Sequence, residues 1–152
     1  MRISQLLSKG SIIVNLKARD KKGAIDELAL AVSKATKAPA SQIAAVLNER
    51  EQLGSTGIGG GIAVPHGKLG SVQSIIVGFG LSKKGVEYES LDNKPVHIFF
   101  LLLTPENSTG GHLKVLAQIS KLLKMDQFKQ GLAAAESVDE IYNIIKDQDE
   151  DF

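Results

Sequence analysis

Pro95-Val96-His97-Ile98-Phe99-Phe100-Leu101-Leu102-Leu103-Thr104-Pro105 is the stretch on which the fold turns. Between the prolines, VHIFFLLL carries a single polar side chain, His97. A strand with one wet face alternates apolar and polar residues; a nearly unbroken apolar run reads as a strand buried on both faces. Working outward, Val72 to Leu81 and Val86 to Tyr88 read as strands before it, and Thr104-Pro105 ends it. A helix from about Thr109 is predicted to bury Leu113, Leu116, Ile119 and Leu123. A short helical segment covers Gln127 to Ala135. The last helix opens with Ser137 and Glu140 in capping-box register and aligns Val138, Ile141, Tyr142 and Ile145.

Towards the N-terminus, Ser11 to Leu16 suits a short strand. Asp20 opens a helix whose apolar face is Ile25, Leu28, Val32 and Ala35, and Pro39 with Ser41 marks the next helix start. That second helix carries Ile43, Val46 and Leu47 on one face and Arg50 at its C-terminal end. Strand and helix signals alternate throughout, which predicts one α/β domain. The expected bounds are residues 1–147, followed by a solvated acidic tail at 148–152.

Bulk composition narrows the function. The chain has 152 residues, enough for one domain with its own core, and 43% of them are hydrophobic. Eighteen Lys and Arg stand against 17 Asp and Glu, so no electrostatic footprint for nucleic acid or anionic lipid is expected. There is no cysteine, which removes disulfides, thiol nucleophiles and Cys-ligated metal sites and suits a reducing cytoplasm. The N-terminal residues carry no signal pattern, and the apolar run from Ile98 to Leu103 is far too short to span a bilayer. A soluble cytoplasmic protein without membrane insertion is the expectation.

The glycine-dense run GSTGIGGG, Gly54 to Gly61, first suggests nucleotide binding. A P-loop needs four residues between its glycines, then Lys and Ser or Thr; here five residues separate Gly61 from Gly67, and Leu69 follows Lys68. A dinucleotide fingerprint would need a third glycine where Ile62 stands. The three histidines, His66, His97 and His112, show no metal-ligand spacing, and no GxSxG motif supports a serine hydrolase.

What remains is REQLGSTGIGGGIAVPHGKL, from Arg50 to Leu69. It resembles the signature of enzyme IIA domains of the fructose/mannitol class in the phosphoenolpyruvate-dependent phosphotransferase system, including the nitrogen-regulatory IIA proteins. That pattern has an acidic or amide residue, six positions, an aliphatic, a small residue, two free positions, then aliphatic-Ala-aliphatic-Pro-His-small. Glu51, Ile58, Gly59, Ile62, Ala63, Val64, Pro65, His66 and Gly67 meet it in order. LDNKPVHIFFLLLTP and GGHLKVLAQISKLL also look like the family, so the likeness spans most of the chain.

The resemblance implies a mixed β-sheet flanked by helices, and phosphorylation of His66 by an HPr-like phosphocarrier protein. It makes the chain a phosphotransferase working through a phosphohistidine, with no cofactor and no metal. His112 corresponds to a second histidine beside the phosphorylated one, and Arg50 to the family's active-site arginine. The residue types suit phosphoryl transfer, since imidazole is nucleophilic near neutral pH and a guanidinium fork matches phosphate oxygens. A helix start beneath His112 favours an anion, and the glycines before His66 can turn backbone amides towards a phosphoryl group. Ser55 and Thr56 are expected to satisfy the backbone, and His97 to be structural. Gly60 stands where many relatives carry a polar or acidic side chain.

The GSTGIG run and a lone IIA-like unit look similar to the nitrogen-regulatory members, which implies a regulated target protein. A separate fructose- or mannitol-type IIA passing phosphate to a IIB domain is the close rival. A binding module that has lost transfer is the alternative of another class.

Overall fold

The structure, a computed structural model, describes residues 1–108 and 110–152. The run that decides the fold is strand β6 (Val96–Thr104), at the heart of a six-stranded mixed sheet. The other strands are β1 (Leu7–Ile13), β2 (Gly57–Gly59), β3 (Ile62–Ala63), β4 (His66–Lys68) and β5 (Ile76–Val86). Their order is β1-β5-β6-β3-β2. β5 runs antiparallel to β6, whereas β1 is parallel to β5 and β3 parallel to β6. β4 also pairs in parallel with β6, further along, with His66 opposite Leu102. β3 and β4 are thus two pieces of one line of chain along β6, interrupted at Val64 and Pro65.

β6 is apolar on both sides because both sides are covered. Phe99, Leu101 and Leu103 join a buried cluster with Ile25, Leu28, Ile43 and Leu47, contributed by helices α2 (Lys21–Ser33) and α3 (Ala40–Glu51). Ile98, Phe100 and Leu102 point the other way, into a cluster with Val115, Ile119, Leu132, Ile141 and Ile145. Those residues come from α4 (Gly111–Leu123), α5 (Asp126–Ala134) and α6 (Val138–Gln148). The short α1 (Ile3–Leu6) lies on the same side, with Ile3 in that cluster. Each fully buried Leu or Phe contributes roughly 1.5–3 kcal/mol, so this strand is a principal source of stability. On β5, a Cβ at Gly78 would lie 2.6 Å from Val32 and one at Gly80 2.8 Å from Leu28; glycine there lets α2 sit against the sheet.

Helix starts follow the chemistry expected of them. The Asp20 carboxylate accepts from the Gly23 amide at 2.8 Å, and the Ser137 hydroxyl from the Glu140 amide at 3.1 Å. The Glu140 carboxylate reaches back to the Glu136 amide at 3.3 Å.

Four expectations need correction. The first strand is Leu7–Ile13, earlier than Ser11 to Leu16, because it pairs with β5 from Leu7 onward. The two expected strands, Val72 to Leu81 and Val86 to Tyr88, are replaced by one, β5 from Ile76 to Val86, whose register shifts between Leu81 and Val86 so that the chain passes Ser82 to Gly85 without leaving the sheet. α4 buries Val115, Ile119, Leu122 and Leu123, but Leu113, in its first turn, is 60% exposed; Thr109, where the spacing starts that helix, lies outside the described residues. Finally, the acidic end is not simply solvated. Asp149 is buried and accepts from the Ser4 amide at 2.7 Å, capping α1 from the far end of the chain, while Phe152 packs against the core.

Candidate functional site

At the margin of the sheet, α3 from one face and α4 from the other flank β4 and leave a cleft of about 670 Å³. His66, Gly67 and Lys68 come from β4, and Val46, Glu49, Arg50 and Leu53 from α3 and its exit. Leu102, Thr104, Glu106, His112, Leu113 and Leu116 complete it. The three residues singled out from the sequence, His66, Arg50 and His112, therefore line one cavity though they lie far apart in the chain.

Local structure explains each placement. His66 follows Pro65, whose carbonyl accepts from the Leu102 amide at 3.0 Å, so the residue enters β4 with its backbone fixed to β6. Its ring Nδ1 lies 2.9 Å from the Val64 carbonyl oxygen. A carbonyl only accepts, so Nδ1 carries a hydrogen, and in the neutral ring the lone pair is then on Nε2. Gly67 is required by proximity: a Cβ there would lie 2.4 Å from Val46 Cγ1 on α3. Arg50, in the last turn of α3, donates from Nη1 to the Gly54 carbonyl at 2.8 Å, which anchors the guanidinium; its other hydrogens have no partner among the described residues. His112 lies in the first turn of α4, whose N-cap Gly110 provides no side-chain cap.

The glycine-rich loop does not form the cradle expected of it. None of residues 54–61 lines the cleft. Its amides are engaged internally: Thr56 donates to the Glu51 carboxylate, Gly57 to Ser55 Oγ at 3.0 Å, and Gly60 to Asp92 Oδ2 at 3.0 Å. The β5–β6 connection clamps the loop from outside, with Leu91 donating to the Gly57 carbonyl at 2.9 Å. Gly59, Gly60 and Gly61 all have positive φ, between 65° and 99°, so three consecutive residues need conformations that glycine adopts freely. The loop makes a sharp reversal into β3, away from the cleft lining.

Beneath the loop lies a buried polar cluster. The Glu51 carboxylate, 4% exposed, accepts from the Thr56 amide at 3.1 and 3.2 Å and from the Tyr88 hydroxyl at 3.0 Å. The Thr56 hydroxyl also donates to it, and Lys21 Nζ stands 3.0 Å away. Burial pushes the Tyr88 hydroxyl well above the ordinary tyrosine range, so it remains a donor. Ser55 and Thr56 thus serve the loop rather than the cleft. His97 donates from Nδ1 to the Ser82 carbonyl at 2.8 Å and lies outside the cleft, tying β6 to β5. Lys68 is a cleft residue that motif reasoning passes over; strand alternation from His66, two positions earlier, is the signal that points to it.

The family model for the phosphoenolpyruvate-dependent sugar phosphotransferase system, EIIA 2, matches residues 5–148. The chain belongs to this family. Among its EIIA 2 relatives, the fructose-specific EIIABC component of Bacillus subtilis is 42% identical over 151 residues, 98% of this chain. This chain spans only 24% of that relative's length. A nitrogen regulatory protein of Bradyrhizobium diazoefficiens is 37% identical over 145 residues, 95% of each chain. The crystal structure of nitrogen regulatory protein IIA-Ntr from Neisseria meningitidis superposes with a TM-score of 0.88 at 31% identity, covering 94% of this chain and 98% of that one. The mixed sheet with helices on both faces is therefore the EIIA 2 fold. Among the described residues, no cluster of His, Asp and Glu is arranged to hold a metal ion, and no helix is long and apolar enough to cross a membrane.

Proposed function

We propose that the protein is a phosphocarrier that accepts a phosphoryl group on Nε2 of His66 from an HPr-like phosphocarrier protein. One observation carries this reading: the Val64 carbonyl takes the Nδ1 hydrogen, so the lone pair belongs to the other ring nitrogen of a residue that lines a cleft with Arg50 and His112. In the transfer, that lone pair attacks phosphorus in line while the donor histidine's nitrogen–phosphorus bond breaks. The His66 ring gains positive charge and keeps its Nδ1 hydrogen, whose bond to Val64 then becomes charge-assisted.

Arg50, Lys68 and the open start of α4 offer positive potential to the phosphoryl oxygens. His112 Nδ1 is buried with no hydrogen-bond partner among the described residues. A neutral ring then keeps its hydrogen on Nε2, which serves as a donor in the cleft. Positioning and charge stabilisation of this kind need neither nucleotide nor metal. Leu53 and Leu113, 84% and 60% exposed, form an apolar rim against which a carrier protein docks.

The regulatory branch is the preferred reading, supported by the nitrogen regulatory relatives in sequence and the TM-score of 0.88 to one of their structures. Charge added at His66 then alters which target protein can bind the cleft. The 42% identity to a fructose-specific component favours the second reading, delivery of phosphate to a IIB domain. Incubating the protein with phosphoenolpyruvate, enzyme I and an HPr-type carrier is expected to label wild type but not His66→Ala. Onward transfer of that label to a sugar-specific IIB would replace the regulatory reading with the transport one.

A further inference from the structure

The geometry points to Glu51 as a positioning residue that holds His66 in its nucleophilic tautomer through a chain of backbone hydrogen bonds. This inference rests on the proposed role of His66. The Glu51 carboxylate takes the Thr56 amide hydrogen, the Thr56 carbonyl takes that of Val64 at 3.0 Å, and the Val64 carbonyl takes Nδ1–H of His66 at 2.9 Å. All three bonds run donor to acceptor towards Glu51, and because Thr56 and Val64 each donate from one peptide group and accept on the next, the chain acts by fixing where the Val64 carbonyl stands against the ring. The chain runs from a buried anion, 4% exposed, to an imidazole on the cleft wall.

Fixing the tautomer matters because only a lone pair on Nε2 can attack. Were the ring free to place its hydrogen on Nε2, the attacking nitrogen would be blocked. Orientation of a catalytic imidazole by an anion bonded to its other nitrogen is a general device. Here the anion acts at one remove, through two residues of main chain. When the ring accepts the phosphoryl group and becomes positive, the same chain stabilises the retained Nδ1–H. No proton leaves and no other group is consumed.

The arrangement also explains how a charge is tolerated there. Thr56 supplies an amide and a hydroxyl, Tyr88 a hydroxyl and Lys21 an ammonium, so the carboxylate faces donors alone. Lys21 lies 5.0 Å from the Tyr88 ring centroid and closes the cluster. Both carboxylate oxygens accept from the Thr56 amide, at 3.1 and 3.2 Å, so an amide side chain in place of Glu51 would turn an NH₂ group into those donors. A mere hydrophobic prop for the loop would need none of this.

The test combines imidazole nitrogen NMR with transfer kinetics on the full chain, using phosphorylated HPr-type carrier as donor. Wild type is expected to show the Nδ1–H tautomer of His66. Glu51→Gln is expected to give a tautomer mixture and a kcat lowered about tenfold or more, the scale on which outer partners of a working imidazole act. KM for the carrier should hold, because Glu51 lies beneath the surface. Tyr88→Phe loosens the same cluster but leaves the chain to His66 closed; its stability should fall while the tautomer stays. Should Glu51→Gln fail to fold, Glu51→Asp keeps the charge near Lys21 while withdrawing it from the Thr56 amide, and is read in the same way. A folded Glu51 variant with the wild-type tautomer and kcat would overturn the inference, as would an equal tautomer change in Tyr88→Phe. If wild type accepts no phosphoryl group, the proposed function fails, and the imidazole shifts still decide the role of Glu51.

Discussion

Replacing Gly67 by alanine tests how tightly β4 is pressed against α3. The added Cβ would lie 2.4 Å from Val46 Cγ1 and 3.6 Å from the Val46 carbonyl oxygen. Carbon atoms in good contact sit about 3.5–4.0 Å apart, so the first distance is short by roughly 1 Å or more. Val46 is β-branched and stiff in a helix, so it cannot swing aside freely. Overpacking of this kind costs about 1–3 kcal/mol. In a chain of 152 residues that lowers Tm by about 2–12 °C. The backbone at Gly67 is not left-handed, so strain adds nothing and the whole effect is steric. Val46→Ala should therefore relieve it. Urea unfolding of wild type, both single variants and the double variant is expected to give a coupling energy of about 1–2 kcal/mol in favour of the double. Because Arg50 lies one turn beyond Val46 on α3, phosphoryl uptake should fall in Gly67→Ala and recover in the double variant. Effects that add to within about 0.5 kcal/mol would refute the contact as the cause.

Three further outcomes are expected. His112→Ala should slow phosphoryl uptake about 10²-fold, as loss of one transition-state donor does, with a wild-type melting curve; unchanged kinetics would remove His112 from the mechanism. Ser137→Ala removes the cap on the Glu140 amide and should cost about 1 kcal/mol in thermal or urea unfolding, with phosphoryl uptake unaffected because α6 does not reach the cleft. Backbone hydrogen bonds from Lys94 and Gly60 hold the Asp92 carboxyl below its ordinary value of 3.8. A depressed folded-state pKa gives stability that is complete above the ordinary value and is lost as pH falls through the lower one. The Gly60 amide shift should accordingly titrate with a midpoint below 3.8; a midpoint at or above it would show that the clamp on the glycine loop is absent.

Much of the architecture is legible in the sequence because burial leaves a pattern. VHIFFLLL can lie only where both faces are covered, and β6 does. Asp20 and Ser137 announce helix starts through their own side chains. His66, Arg50 and His112 are legible as a set only through the family signature, since no spacing rule brings three such distant positions together. The glycine loop misleads for a physical reason: its amides are taken by Glu51 and by Asp92, the latter 32 residues away, and contacts of that range leave no local trace. Leu113 continues the apolar spacing of α4 but occupies its first turn, on the cleft lining, where it is 60% exposed. The acidic composition at the C-terminus conceals Asp149, whose partner is the Ser4 amide at the opposite end of the chain. At β5, Ser82 to Gly85 separate the two strands expected there, yet a register shift with Gly85 at φ 93° carries one strand through.

The attacking nitrogen itself is the most direct point of test. Phosphorylating ¹⁵N-labelled protein with an HPr-type carrier and reading nitrogen–phosphorus coupling by NMR identifies which atom bears the phosphoryl group. Coupling at Nε2 of His66, with the hydrogen retained on Nδ1, is the expected result. Phosphate on Nδ1 of that ring, on His112, or on any other residue would contradict it.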